Sequence, residues 1–123
     1  MWFKKNKPVE IDPRYLPVMK RVNMLCMMRG TVYQKTGSEK NFLDDPDRMI
    51  AYHLGALDAA FIAAGLDVRG DEFWSAARAY GMAFLFMTRA EADACMAKAL
   101  LEMRIREADL NNGSADFDAW TQN

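Results

Sequence analysis

DPDRMIAYHLGALDAAFIAAG, residues 45–65, is the stretch whose reading decides the fold. It opens on Asp45, a residue type that caps helix N-termini, followed by Pro46 at the first helical position and Asp47 in the positive first turn. It closes on Gly65, which can adopt the left-handed stop that other residues avoid. Between these signals Ile50, Leu54, Leu57, Phe61 and Ala64 recur three or four residues apart, the signature of a helix face turned to a core. A second face carries Ala51, Gly55, Ala59 and Ala63, one small residue per turn. Small side chains let a neighbouring helix come close, so this helix is packed on two faces and belongs in the middle of the molecule.

Working outward, the segments on either side are helical too, and none shows the alternation of a strand. Towards the N-terminus, a helix starts at Asp12-Pro13 or Leu16-Pro17 and runs to about Thr36, ahead of Gly37-Ser38. Tyr15, Met19, Val22, Cys26 and Tyr33 share its core face, with Val18, Leu25 and Val32 beside it. Met24 and Met27 point elsewhere, so this helix is either wrapped or exposes methionines. Towards the C-terminus, Asp71–Met87 is the most apolar helix, with Phe73, Ala77, Tyr80 and Phe84 on one face. Thr88-Arg89-Ala90-Glu91 is a capping box that restarts a fourth helix, expected to run to Leu110 and stop at Asn111-Asn112-Gly113. That last helix bears two apolar stripes. Ala92, Met96, Ala99, Met103 and Leu110 lie on one side, and Ala94, Leu101, Ile105 and Ala108 on the other. A surface helix needs only one, so the second must meet the chain's own ends, another copy or a partner.

The chain therefore reads as an all-α single domain of four main helices in bundle-like or orthogonal packing. Residues 1–12 form a basic aromatic arm, 13–110 the helical domain, and 111–123 an acidic tail. Trp2 and Phe3 in the arm and Phe117 and Trp120 in the tail are placed to dock, the latter pair on a short helix.

Charge is sorted by position. Residues 1–40 carry nine Lys or Arg against Glu10, Asp12 and Glu39, a balance of +6, while residues 41–123 balance to −7. A charge-segregated surface either folds on itself or is shown to a partner. Two cysteines, Cys26 and Cys95, in helical patterns without a secretory signal point to reduced thiols and a cytoplasmic protein. The longest uncharged apolar run, Ala79–Thr88, is about half the roughly 20 residues of a membrane span. Trp2-Phe3-Lys4-Lys5-Asn6-Lys7 would hold an anionic bilayer only marginally.

Templates for chemistry fail one after another. The single histidine, His53, sits at the edge of a core stripe, where a hydrogen-bonded core role is its usual one. Asp44, Asp45 and Asp47 lack the alternating oxygens and closing Glu of a calcium loop and read as helix caps. Neither a metal-ligand spacing nor a phosphate-binding glycine loop occurs, so no metal or cofactor is expected. Phe61–Ala79 has a helix–turn–helix outline, but Asp67, Asp71 and Glu72 would turn acids towards phosphates, so it reads as an αα corner. The expectation is a non-enzymatic protein-binding module, a small adaptor, assembly factor or inhibitor of a larger complex, of a kind frequent on mobile elements. Its partner-binding candidates are Lys4, Lys5, Lys7, Lys20, Arg21, Met24, Met27, Leu101 and Ile105, with self-association through the last two as one form of it. The alternative is a nucleic-acid-associated protein using the basic N-terminal third.

Overall fold

A computed structural model describes residues 9–122. The chain is all-helical among these residues, with five α-helices: α1 Leu16–Thr36, α2 Pro46–Ala63, α3 Asp71–Phe84, α4 Arg89–Leu101 and α5 Glu107–Thr121. A 3-10 turn, Phe42–Asp44, joins α1 to α2. No helix of the described residues is long and apolar enough to cross a membrane.

The punctuation read from sequence acts as chemistry predicts at most joints. Asp12 starts a turn that leads into α1 by accepting the backbone N–H of Arg14 at 2.9 Å. Gly37, at φ +65°, ends α1 with the Ser38 N–H returning to the Tyr33 carbonyl at 3.1 Å. Asp45 accepts the Asp47 N–H at 2.8 Å to open α2, and Gly65, at φ +73°, closes it in the same way as Gly37. Thr88 and Glu91 complete the reciprocal capping box of α4.

Helix α2 is the axis of the fold. Every residue from Ile50 to Leu57 is buried, and so are Ala59, Ala60 and Phe61. On one side α1 and its N-cap Tyr15 lay down Tyr15, Met19, Val22, Leu25, Cys26 and Tyr33, all buried, with Tyr15 tilted against Phe61 at 5.0 Å and Tyr33 edge-on to Phe42. Phe42 in turn stacks on Tyr52 at 3.9 Å between ring centres. Burying one such large side chain contributes about 2 kcal/mol, so this aromatic file is a main source of stability.

Two expectations about the C-terminal third need correction. The fourth helix does not continue to Leu110: it ends at Leu101, and the chain turns through 102–106 before α5 begins at Glu107. Nor does Asn111-Asn112-Gly113 stop a helix, because α5 runs straight through it, so residues 107–121 are one element rather than a domain end and a tail. The reason is contact with α2. A Cβ on Gly113 would stand 2.0 Å from the Tyr52 carbonyl oxygen, and one on Gly55 would stand 1.9 Å from that of Leu110. Two glycines thus let the backbones of α2 and α5 touch. The roughly 1 kcal/mol that a mid-helix glycine costs is offset by the packing it permits. Of the ladder of small residues read on α2, Gly55 is the point of close approach and its neighbour is α5, whereas Ala63 is exposed and Ala51 borders the cavity described below.

Helix α3 stops three residues short of the expected Met87. Leu85 caps it and Phe86 takes the left-handed conformation, φ +57°, the only residue other than glycine to do so among those described. Helices α3 and α4 form a pair that stands further off α2 than α5 does, leaving a cavity of about 300 Å³ between them.

Candidate protein-binding surface

Each face of α1 has its own composition. Its inner face is the apolar row already described, while its outer face carries Lys20, Arg21, Met24, Met27, Met28, Thr31, Val32 and Lys35, all exposed. At about 100° per residue these positions fall within one half of the helix surface. Met27 is 66% exposed, the most open of the four large apolar side chains there. The helix contains four cations and no acid. Among the described residues none of Lys20, Arg21, Arg29 and Lys35 forms an ion pair. A methionine row bordered by unneutralised cations is an adaptable apolar surface with a positive rim.

Of the residues expected to bind a partner, the structure gathers Lys20, Arg21, Met24 and Met27 on this face. Arg21 has an internal role as well. Its guanidinium lies over the rings of Phe117 and Trp120, 5.8 and 5.5 Å from their centres, and so pins α5 to α1. Phe117 is buried and Trp120 partly so, and the two rings meet edge to face at 6.0 Å. Lys4, Lys5 and Lys7, and with them Trp2 and Phe3, lie outside the described residues.

Leu101 and Ile105 belong to a second exposed set at the α4–α5 corner, 86% and 73% exposed, together with Leu100 and Met103. The second stripe expected on a continuous helix does not exist as such. Leu101 ends α4, Ile105 lies in the turn and Ala108 falls in the first turn of α5. The corner is held from beneath by charge: Lys98 meets Asp47 at 2.7 Å, and Arg106 reaches Asp47 at 3.6 Å and Glu102 at 3.4 Å.

Beneath the α1 face lies a buried polar cluster. Asp116 of α5 accepts the hydroxyls of Tyr33 at 2.6 Å and Tyr52 at 2.5 Å, joining three helices at one carboxylate. Burial, with the bond to Asp116, pushes the Tyr33 hydroxyl up to about 12 and raises Tyr52 further in the same direction. Burial and the nearby Asp116 likewise hold the Cys26 thiol well above its ordinary range, so it is protonated at neutral pH and no nucleophile. His53 is buried, its Nδ1 2.6 Å from the Tyr80 hydroxyl, and burial pushes its pKa down to about 4. The tyrosine hydroxyls, the thiol and the imidazole are uncharged at neutral pH and lie within helix–helix contacts, which suits structural polar joints. Among the described residues no three His, Cys, Asp or Glu side chains are grouped to hold a metal ion.

Sequence reasoning overlooked Met28, Val32, Leu100, Met103 and Phe86 as exposed apolar positions. Met28 lies one turn from Met24 and was open to a helical-wheel argument. Phe86, 90% exposed, was not, since nothing local announces a left-handed phenylalanine. No protein-family model matches the chain, and no match is found among curated proteins or solved structures.

Proposed function

We propose that the protein is a non-enzymatic binding module, a small adaptor or inhibitor that takes an acidic, apolar segment of another protein on the outer face of α1. One observation carries this reading: Met24, Met27, Met28 and Val32 are exposed side by side on a helix with four cations and no acid. The methionines supply a surface that conforms to its ligand, and Lys20 and Lys35 at its two ends select for negative charge. The buried thiol of Cys26 fits a reducing, cytoplasmic setting.

The test is site-specific photocrosslinking in the native host, with the crosslinker at position 27 in one sample and at 101 in another. A protein trapped from position 27, whose purified form binds at least tenfold more weakly to Met24→Ser/Met27→Ser, is the expected result. Crosslinks from position 101 alone would move the interface to the α4–α5 corner, and a crosslink to a second copy there would make the protein a homodimer.

A second reading has its own support. A helix bearing only cations is also suited to a phosphate backbone. It requires a mobility shift whose affinity falls steeply with salt and weakens in Lys20→Glu/Lys35→Glu. A shift unaffected by Met24→Ser/Met27→Ser would favour nucleic acid over protein.

A further inference from the structure

The exposed apolar corner between α4 and α5 is left unused by the proposed function. Leu100, Leu101, Met103 and Ile105 fall within six consecutive residues there and are between 46% and 86% exposed. Scaled by those exposures, four side chains of this size present about 400 Å² of apolar surface, the scale of a patch that marks an interaction site. A standard interface takes about 800 Å² from each partner, somewhat more than half of it apolar. The corner therefore supplies the apolar centre of one interface of that size.

Charge selects what covers it. Around the corner Lys98, Arg104 and Arg106 stand with Asp47, Glu102 and Glu107, three cations with three acids. Lys98, Arg106, Asp47 and Glu102 neutralise one another beneath the patch. Arg104 and Glu107 are both exposed, and among the described residues neither side chain forms an ion pair. One free cation and one free acid on either side of Ile105 make a surface that is complementary to itself. A two-fold rotation about an axis beside Ile105 brings Arg104 of each copy to Glu107 of the other. The α1 face lacks this property, since two copies meeting there would set four cations against four. A net charge of −1 leaves little long-range repulsion between chains.

We infer that the α4–α5 corner is a two-fold interface between two copies of this chain, with Leu101 and Ile105 at its centre and reciprocal Arg104–Glu107 pairs at its rim. The inference does not rest on the α1 surface, and either can fail without the other.

Sedimentation equilibrium of the full chain over about 1–500 µM tests it. The mass is expected to rise with concentration from 14.0 kDa towards twice that value. Leu101→Lys/Ile105→Lys, at two exposed positions, should weaken the dimer about tenfold or more without changing the far-UV circular dichroism. Arg104→Glu sets acid against acid and should weaken it about fivefold, and Arg104→Glu/Glu107→Arg, which exchanges the two charges, should recover the lost affinity. If the lysine variant unfolds, the charge exchange still decides. A chain that stays at 14.0 kDa throughout overturns the inference. So does a dimer that survives Leu101→Lys/Ile105→Lys, one that the charge exchange leaves as weak as Arg104→Glu alone, or one that Met24→Ser/Met27→Ser abolishes.

Discussion

Helix α5 meets α2 backbone to backbone, through Gly55 and Gly113, whereas α3 and α4 meet the same helix through side chains and leave about 300 Å³ unfilled. One helix thus has a face where a single methyl group has no room and another where several would fit. The difference lies in what each neighbour brings. Helix α5 presents a glycine, the backbone carbonyl of Leu110 and a carboxylate, Asp116, that two tyrosines of α1 and α2 both reach. The α3–α4 pair presents Phe73 and Trp74 of α3 and Cys95 and Ala99 of α4, with Met103 of the following turn, around that space. Close packing makes the first contact rigid and intolerant, and standing off makes the second adaptable.

Adding one methyl group on the tight side is the strongest way to break this contrast. Gly113→Ala forces a Cβ against the Tyr52 carbonyl and should lower the unfolding free energy by about 3 kcal/mol or more, read from the urea midpoint. A change near wild type would mean that the helices can slide apart.

The polar joints give the next effect. His53 is folded with a pKa of about 4 against its ordinary 6.5, so between those values the unfolded chain takes up a proton that the folded chain refuses. Its contribution is therefore present above pH 6.5 and is lost as pH falls towards 4, up to about 3 kcal/mol. Urea titrations at pH 7 and pH 4.5 measure the slope, and His53→Gln should flatten it. On the tight side, Asp116→Ala leaves the Tyr33 and Tyr52 hydroxyls without their acceptor and should cost about 2 kcal/mol by the same measurement.

The smallest expected change has the opposite sign. Ala99→Leu adds bulk on the loose side, into the cavity, and should raise stability by about 0.5–1 kcal/mol in thermal melts. A loss comparable to Gly113→Ala would show that the two faces of α2 are packed alike.

Much of the fold was legible because it rests on local chemistry. Asp45, Gly65 and the Thr88–Glu91 box act through bonds within a few residues of themselves, and Ile50, Leu54, Leu57 and Phe61 of the core stripe are buried as their spacing requires, while its last member, Ala64, caps the helix and is exposed. The candidate surface was half legible. Met24 and Met27 follow from helix periodicity, but Leu101 and Ile105 were placed on a stripe that the turn at 102–106 dissolves. Gly113 was misread for a physical reason. A glycine after two asparagines serves equally as a helix stop and as a contact point within a helix, and only the neighbouring helix distinguishes them.

By itself the sequence determined that the chain is helical, that α2 is central with a face open to close approach, and that α1 is basic with methionines turned away from the core. These are properties of spacing, caps and composition, written in residues near one another. Tertiary structure alone decided where the fourth helix breaks, that α5 is the neighbour the small residues await, and that Asp116 joins Tyr33 to Tyr52. Each of these depends on residues roughly fifty to eighty positions apart meeting in space, and the free energy of that meeting outweighs the local preferences that a sequence displays.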